Sequence, residues 1–334
     1  MHTVTYSRNF TLPVTYWCRN RCGYCSFRSD EPTLLKLSEI RAIAREERKK
    51  GAVEALVMTG EQPDVHPKMR GELRSWGFPA YVDYIREVCL LLLDEDLLPH
   101  TNIGTLSLDE LSRLKDVNAS MGVMLEALSP AVERGAAHHQ APTKAPALRV
   151  ETVRAAGELQ IPFTSGILFG IGESWEDRRQ TLEALAALQD KYGHLQEVII
   201  QPLNPQAGTE MAGWPAPEKA EVLQVIREAR NILPPQVHLQ IPPNLISEVL
   251  EAVEAGADDL GGLSDEPDLI NRNRPWPDIK NLRALLAANG LELRLRLPIY
   301  DEHIEKGWYS PEVGETMASH RTALYPFPVN GPGK

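Results

Sequence analysis

The sequence predicts an α/β fold built as a (β/α)8 TIM-type barrel. Three observations point there. Short apolar runs of strand length alternate with longer helical stretches, the pattern of a mostly parallel sheet. Eight such units can be counted between Thr11 and Gly261. The 334 residues suit one barrel of about 250 residues with extensions. A doubly wound sheet shares the alternation, and pattern alone leaves it open.

The elements follow in order. The first strand is predicted at Thr11–Trp17, with a cysteine-rich loop behind it and a helix near Ser38–Lys50. The second is Glu54–Thr59, an apolar run stopped by Gly60, and the third is Pro99–Ile103. Ser107 with Glu110 three residues on is a capping box, so a helix starts there. The fourth strand is Ala119–Leu125, and the fifth is Phe163–Phe169, closed by Gly170 and Gly172. Ser174 with Asp177 repeats the cap pattern. The sixth strand is Glu197–Gln201, and a Pro/Asn/Gly loop leads to a helix from Ala216 to Asn231. The seventh is Gln236–Gln240, the eighth Ala257–Gly261, and Leu291–Leu297 alternates like an extra strand. Residues 1–300 are expected to form the barrel domain. Residues 301–334 are expected as a C-terminal extension, packed on the barrel or irregular. Pro326, Pro328 and Pro332 favour an irregular tail.

Composition narrows the function classes. The chain carries 35 basic and 46 acidic residues, a net charge of −11. That balance argues against a nucleic-acid surface. The longest compact apolar run, Val88–Leu93, is far too short to span a bilayer. The start, MHTVTYSRNF, lacks the pattern of a signal peptide. A cytoplasmic protein without membrane partners is expected.

Three of the four cysteines fall within eight residues, as Cys18-Arg-Asn-Arg-Cys22-Gly-Tyr-Cys25. Three clustered thiols cannot pair among themselves, which suits a reducing compartment. A [4Fe–4S] cluster normally takes four thiolates. Three leave one iron open to an exogenous chelating group. Gly23 lets the loop wrap tightly. A zinc site is the rival reading, but it wants a nearby fourth Cys or a His. His2 and His66, the nearest histidines, lack finger-like spacing. Cys89, inside Val88–Leu93, reads as a buried core thiol.

The C-x3-C-x2-C run, with Tyr24 before its last Cys, resembles the signature of the radical S-adenosylmethionine superfamily. The longer run YWCRNRCGYCSFR (Tyr16–Arg28) resembles the radical subunit of FO synthase. So do MTGEQPD (Met58–Asp64), MLEALS (Met124–Ser129), HHQAPTKAP (His138–Pro146), IPFTSGILFGIGES (Ile161–Ser174) and GHLQEVIIQ (Gly193–Gln201). The likeness weakens after Gln201. There Pro202-Leu-Asn-Pro205 replaces an expected basic, aromatic-containing segment. Leu260 also stands where a DWGG-type loop would have Trp.

The resemblance implies a lyase-type synthase of the coenzyme F420 route with a cluster on Cys18, Cys22 and Cys25 and S-adenosylmethionine as cofactor. A 5′-deoxyadenosyl radical would take hydrogen from a diaminouracil–tyrosine adduct, 5-amino-5-(4-hydroxybenzyl)-6-(D-ribitylimino)-5,6-dihydrouracil. Cyclisation and ammonia loss would give 7,8-didemethyl-8-hydroxy-5-deazariboflavin. Reduced ferredoxin or flavodoxin would supply the electron, and a second, tyrosine-using radical subunit the adduct. Tyr24, Thr59, Gly60 and Glu61 are expected at the cofactor, Glu61 accepting from the methionyl ammonium. Glu126 would meet the ribose or methionyl part, or form a rim ion pair. Arg149 would reach the methionyl carboxylate, or be a solvated helix-face residue. Gly170 and Ile171 would flank the adenine. His138, His139, Gln201, Asn204, Asp258 and Asp259 are the expected substrate contacts, with ordinary loop or rim hydrogen bonds as the alternative. The rivals are a related cyclase of the futalosine route to menaquinone, an electron-transfer iron–sulfur protein and a non-catalytic zinc-binding module.

Overall fold

The structure, a computed structural model, describes residues 2–324. Strand β1 (His2–Pro13) is parallel to β2 (Glu54–Met58), and the sheet continues through β3 (Leu98–Asn102), β4 (Ser120–Gly122), β5 (Phe163–Phe169), β6 (Leu195–Pro202), β7 (His238–Gln240) and β8 (Asp259–Leu263). Because β8 pairs back onto β1, the eight strands close into a parallel barrel. The doubly wound alternative is thereby excluded. Helices α1 (Leu37–Lys49), α2 (Pro67–Ser75), α3 (Tyr81–Asp94), α4 (Leu108–Lys115), α5 (Pro130–Arg134), α6 (Pro146–Glu158), α7 (Trp175–Tyr192), α8 (Lys219–Ile232), α9 (Val249–Glu254) and α10 (Ile279–Ala288) follow the strands. Among the described residues no helix is long and apolar enough to cross a membrane.

The two predicted caps are present. Ser107 Oγ accepts from Glu110 N at the start of α4, and Ser174 Oγ accepts from Asp177 N at the start of α7. Strand β5 spans the predicted residues, all buried. The first strand, expected at Thr11–Trp17, instead begins at His2. Its two faces explain the difference. Val4, Tyr6, Phe10 and Leu12 join the main apolar core, while Thr5, Ser7 and Asn9 are equally buried on the other face. A polar interior makes half of the strand read as exposed.

A ninth strand, β9 (Leu291–Arg296), pairs with the first half of β1, from His2↔Leu291 to Ser7↔Arg296. Strand β2 takes the second half, from Asn9↔Glu54 to Pro13↔Met58. Beyond β9 the chain turns beneath the barrel. The Pro298 carbonyl accepts from Ser120 Oγ of β4 at 2.6 Å and Gln196 Nε2 of β6 at 2.9 Å. Helices α11 (Asp301–Glu305) and α12 (Pro311–Leu324) come next. The extension from residue 301, expected as packed on the barrel or irregular, is thus helical over α11 and α12. Pro326, Pro328 and Pro332 lie outside the described residues. Val313 and Met317 of α12 pack with Leu98 and Ile299, and Ser319 Oγ donates to Asp96 Oδ1 at 2.5 Å.

Arg296 fills the lower barrel. Its Nε donates to Asp259 Oδ2 at 2.6 Å, and its Nη2 donates to Asp259 Oδ1 and Glu197 Oε2, each at 2.9 Å. Tyr300 OH donates to Glu197 Oε2 at 2.8 Å, and Thr5 Oγ1 to Asp259 Oδ2 at 2.5 Å. This is a fully buried, bidentate guanidinium–carboxylate pair with a second carboxylate attached. Replacing Arg296 with Met strands two buried anions. A loss of about 3–5 kcal/mol in unfolding free energy is expected, read from urea midpoints at pH 7. A change below 1 kcal/mol would mean that the carboxylates are neutral when buried.

At the outer edge of this network His238 stacks on Tyr300 with ring centroids 4.3 Å apart, its Nδ1 3.0 Å from Asp258 Oδ2. Burial disfavours its charge, but the bonds to Asp258 and Glu302 carry its pKa up to about 10. The unfolded value is about 6.5. A raised pKa adds stability that is complete below the unfolded value and disappears as pH rises through the folded one. Wild type is therefore expected to lose stability relative to His238→Gln between about pH 6.5 and 10. Parallel urea-midpoint profiles for the two proteins would count against a charged His238.

Candidate active site

The segment between β1 and α1 carries the cysteines and has no helix or strand of its own. Neighbouring backbone shapes it instead. Arg19 N donates to Glu61 O at 3.0 Å, beyond β2. Arg21 N donates to Gln140 O and Gly23 N to Ala137 O, each at 2.9 Å, on the connection from α5 to α6. Asn20 locks this contact: its Nδ2 donates to Thr143 Oγ1 at 2.5 Å, and Thr143 N donates to its Oδ1 at 3.1 Å. The end of β2 comes so close that a Cβ on Gly60 would lie 1.9 Å from Trp17 O. Only glycine fits there.

Cys18, Cys22 and Cys25 are free thiols that line one cavity at the C-terminal mouth of the barrel. Met58, Thr59, Gly60 and Glu61 from the end of β2, Asn102 and Gly104 from β3, and Met124 and Glu126 beyond β4 complete much of its wall. Lys144, Arg149, Leu168, Gln201 and Ile270 also reach it.

Two buried ion pairs face this space. Glu61 pairs with Arg149, and Glu126 with Lys144. Glu61 lies in a tight nest: Gly104 adopts φ +92° beside it, and a Cβ there would come within 2.2 Å of Glu61 Cγ. Glu126 has a left-handed backbone, φ +70°, which lifts its carboxylate out of the strand line. Its Oε2 accepts from Tyr24 OH at 2.8 Å, and that hydroxyl lies 3.1 Å from His138 Nε2. Burial works against the charge on Glu126, yet Lys144 above all holds its pKa down to about 2. Burial lowers His138 to about 4, so its imidazole is neutral at pH 7. Burial also raises Cys18, and takes Cys22 up to about 12. A metal must therefore displace these thiol protons on binding.

The predicted site residues divide into four groups. The three cysteines, Tyr24, Thr59, Gly60, Glu61, Glu126, Arg149 and Gln201 all line the cavity. Gly170 and Ile171 stand just beyond Leu168, their amides each donating to the Glu173 carboxylate at 2.8 Å. His138 is behind Tyr24 and reaches the cavity through it.

The remaining four are elsewhere. His139 is on the outer surface, 3.8 Å from Glu210. Asn204 ties the loop after β6 to the loop after β8, donating to Asn271 Oδ1 at 3.1 Å and Asn273 Oδ1 at 3.0 Å. Asp258 and Asp259, expected at the substrate, are at the opposite end of the barrel, bound to His238 and Arg296. Strand β8 starts at Asp259, so both aspartates open it rather than close it. Lys144, Asn20 and Thr143 were not among the expected site residues. Lys144 and Thr143 sit inside the HHQAPTKAP stretch, and that was the available signal.

The family model described as the Radical SAM superfamily matches residues 12–185, from the end of β1 through the cysteine segment into α7. The chain is thus a radical S-adenosylmethionine protein. Three curated relatives narrow this further, each called 7,8-didemethyl-8-hydroxy-5-deazariboflavin synthase. The Archaeoglobus fulgidus protein is 46% identical over 92% of this chain and 94% of its own length. The Methanococcoides burtonii protein is 45% identical over 92% of each. The Methanothermobacter thermautotrophicus protein is 43% identical over 97% of this chain and 98% of its own. The chain belongs to the 7,8-didemethyl-8-hydroxy-5-deazariboflavin synthase family. Among solved structures, the FeFe-hydrogenase maturase HydG from Carboxydothermus hydrogenoformans superposes with a TM-score of 0.70. That match covers 96% of this chain and 74% of the other at 20% identity, a likeness of fold.

The superfamily uses a [4Fe–4S] cluster and S-adenosylmethionine, and the residues present fit both. Three thiols edge one cavity, and Glu61 N donates to Cys18 Sγ at 3.2 Å, a bond that favours the thiolate. Among the described residues no three His, Cys, Asp or Glu side chains close on a single metal ion. The thiols stand around a shared space instead. Carboxylates and cations beside them match the charges of an amino-acid group. Replacing Cys18, Cys22 or Cys25 with Ala should remove the iron from anaerobically reconstituted protein. Cys89→Ala should keep about four irons per chain, because that thiol is buried against Thr101 and Asn118. A full iron complement in Cys22→Ala would refute the assignment.

Proposed function

We propose that this protein forms 7,8-didemethyl-8-hydroxy-5-deazariboflavin from the hydroxybenzyl, ribityl-bearing diaminouracil adduct at the cavity over the three cysteines. One observation carries the reading: the three thiols and the two paired charges line the same cavity as Gln201, Leu168 and Ile270. Cofactor and substrate can then share one space. When bound, the cluster and S-adenosylmethionine supply a one-electron cleavage whose adenosyl fragment removes hydrogen from the substrate.

The chain's own residues bind, orient and exclude. Cys18, Cys22 and Cys25 hold the cluster. Glu61 accepts from the methionyl ammonium, and Glu126 from a ribose hydroxyl. The Gly170–Ile171 turn, shaped by Glu173, borders the adenine. Gln201, a neutral polar side chain of the cavity lining, pairs with the uracil ring, since a buried uracil edge without partners is costly. Leu168, Met124, Phe27 and Ile270 give the cavity apolar wall, which keeps water away from reactive species. His138, neutral behind Tyr24, steadies the Tyr24 hydroxyl that donates to Glu126. Reduced ferredoxin or flavodoxin serves as electron donor in the cytoplasm, and the tyrosine-using radical enzyme delivers the adduct.

The test is anaerobic incubation of reconstituted protein with S-adenosylmethionine, dithionite and the adduct. Fluorescent deazaflavin is expected, with 5′-deoxyadenosine formed alongside. Gln201→Ala should cut deazaflavin formation at least tenfold while 5′-deoxyadenosine still appears. Deoxyadenosine without any deazaflavin from wild type would leave a radical enzyme acting on some other substrate.

A further inference from the structure

Among the described residues, several buried side-chain nitrogens and oxygens have no hydrogen-bond partner. One of them, Arg28 Nε, belongs to a residue of the cavity lining. A buried N–H without an acceptor is costly, so a ligand oxygen that reaches it gains affinity by satisfying it. The other arginine of the cavity offers nothing similar. Arg149 gives its Nε to Thr143 O, its Nη1 to Met124 O and its Nη2 to Glu61. The Arg28 guanidinium is anchored outward instead, its Nη2 donating to Asp30 Oδ1 at 2.5 Å. Asp30 is a surface residue, 69% exposed, while the Arg28 side chain is 14% exposed. The charge is paired at the rim, and the Nε–H remains unspent.

The place of Arg28 in the fold indicates which ligand it meets. Ser26 Oγ donates to the Ile270 carbonyl at 2.8 Å, in the loop after β8. Ser29 N donates to Tyr16 O at 2.9 Å, beyond β1. The Tyr16 and Phe27 rings, 4.8 Å apart, steady the residues between. Arg28 therefore stands on the β8–β1 side of the mouth. The carboxylates assigned to the cofactor follow β2 and β4, and β4 is across the ring of strands from β8. Gln201, on β6, and Ile270 share the cavity with Arg28. The dihydrouracil ring of the adduct has two carbonyl oxygens with an N–H between them. A carboxamide such as that of Gln201 can match the N–H and one carbonyl, which leaves the other carbonyl short of a donor. A guanidinium N–H donates and never accepts, the complement of a carbonyl oxygen.

We infer that Arg28 is a substrate-binding residue whose Nε–H donates to a ring carbonyl oxygen of the dihydrouracil, and that Arg28 and Gln201 together set the orientation of that ring. This rests on the functional reading above and deepens its substrate side. The contacts assigned to S-adenosylmethionine are separate from it. Anchoring Nη2 on Asp30 gives the guanidinium a fixed pivot, so the Nε–H is presented in one direction before the substrate arrives.

The experiment exploits side-chain length. In Arg28→Gln the amide nitrogen falls at the bond position of Nε and still donates. In Arg28→Lys the charge is kept, but a methylene takes that position and the ammonium lies one bond further out. Arg28→Met keeps neither charge nor donor. Reconstituted proteins of equal iron content are assayed for kcat/KM with the adduct, read by deazaflavin fluorescence. Their affinity for S-adenosylmethionine is measured by equilibrium dialysis without reductant. Arg28→Met and Arg28→Lys should lose roughly 10–100-fold in kcat/KM, the loss of a charged hydrogen bond. Arg28→Gln should stay within about fivefold of wild type, the gap between a charged and a neutral hydrogen bond. Affinity for S-adenosylmethionine should change less than about threefold in all three. An Arg28→Lys protein more active than Arg28→Gln would overturn the inference, because charge and not the Nε donor would then matter. So would an unchanged kcat/KM in Arg28→Met, a parallel loss of S-adenosylmethionine affinity, or a cluster lost in all three variants. If Arg28→Met alone fails to hold its cluster, the comparison of Gln with Lys decides. Wild type that forms no deazaflavin would instead defeat the functional reading on which this inference rests.

Discussion

Three thiols must be held in fixed relation on a segment with no regular structure, and the rest of the mouth is arranged around that need. The segment cannot satisfy its own backbone groups. It borrows partners from the turn after β2 at Glu61, from residues 137–143 before α6, and from Met211 beyond β6. The first two of these then supply site residues. Glu61 gives its carbonyl to Arg19, its amide to Cys18 and its carboxylate to the cavity wall. Thr143 is locked to Asn20, and the next residue is Lys144. Holding the cysteines and presenting charge to the ligand are therefore one structural act.

That coupling explains why the cavity tolerates four buried charges. Isolated, each would be expensive to desolvate, so each is paired. The pairs Glu61–Arg149 and Glu126–Lys144 leave the wall near neutral. A ligand with its own ammonium and carboxylate can enter by matching charges already in place. A site with a single unpaired carboxylate would hold that group protonated and lose its acceptor.

Much of this was legible in the residues, and the exceptions have physical causes. The cysteine spacing, the span of β5 and the caps at Ser107 and Ser174 are local signals, and the structure carries them unchanged. Glu61 and Glu126 stood out as carboxylates at strand ends. The start of β1 was obscured because Thr5, Ser7 and Asn9 face a polar barrel interior. Asp258 and Asp259 were assigned to the wrong end because a short strand beside glycines gives no sense of where it begins. The binding partner that fixes them, Arg296, is 37 residues beyond Asp259. Lys144 was passed over because a lysine in a proline-rich turn looks solvated. Only the tertiary fold shows that residues 137–143 run along the cysteine segment.

The two ends of the barrel use the same chemistry to opposite purposes. Below, Arg296 meets Asp259 bidentately, Glu197 takes its remaining reach, and Tyr300 and Thr5 fill out the carboxylate oxygens. Asp259 and Glu197 are thus saturated by protein partners, which is what a structural network requires. Residues 297–300 then cover that end from beneath, the Pro298 carbonyl bonding β4 and β6. Above, the mouth is left open and the pairing is incomplete: among the described residues Glu126 is the acceptor found on Lys144 Nζ, and Arg28 Nε is buried without a partner. Buried charges at the two ends look alike by burial alone. They are told apart by whether their hydrogen-bonding capacity is spent, and that criterion separates the stabilising end of this barrel from its working end.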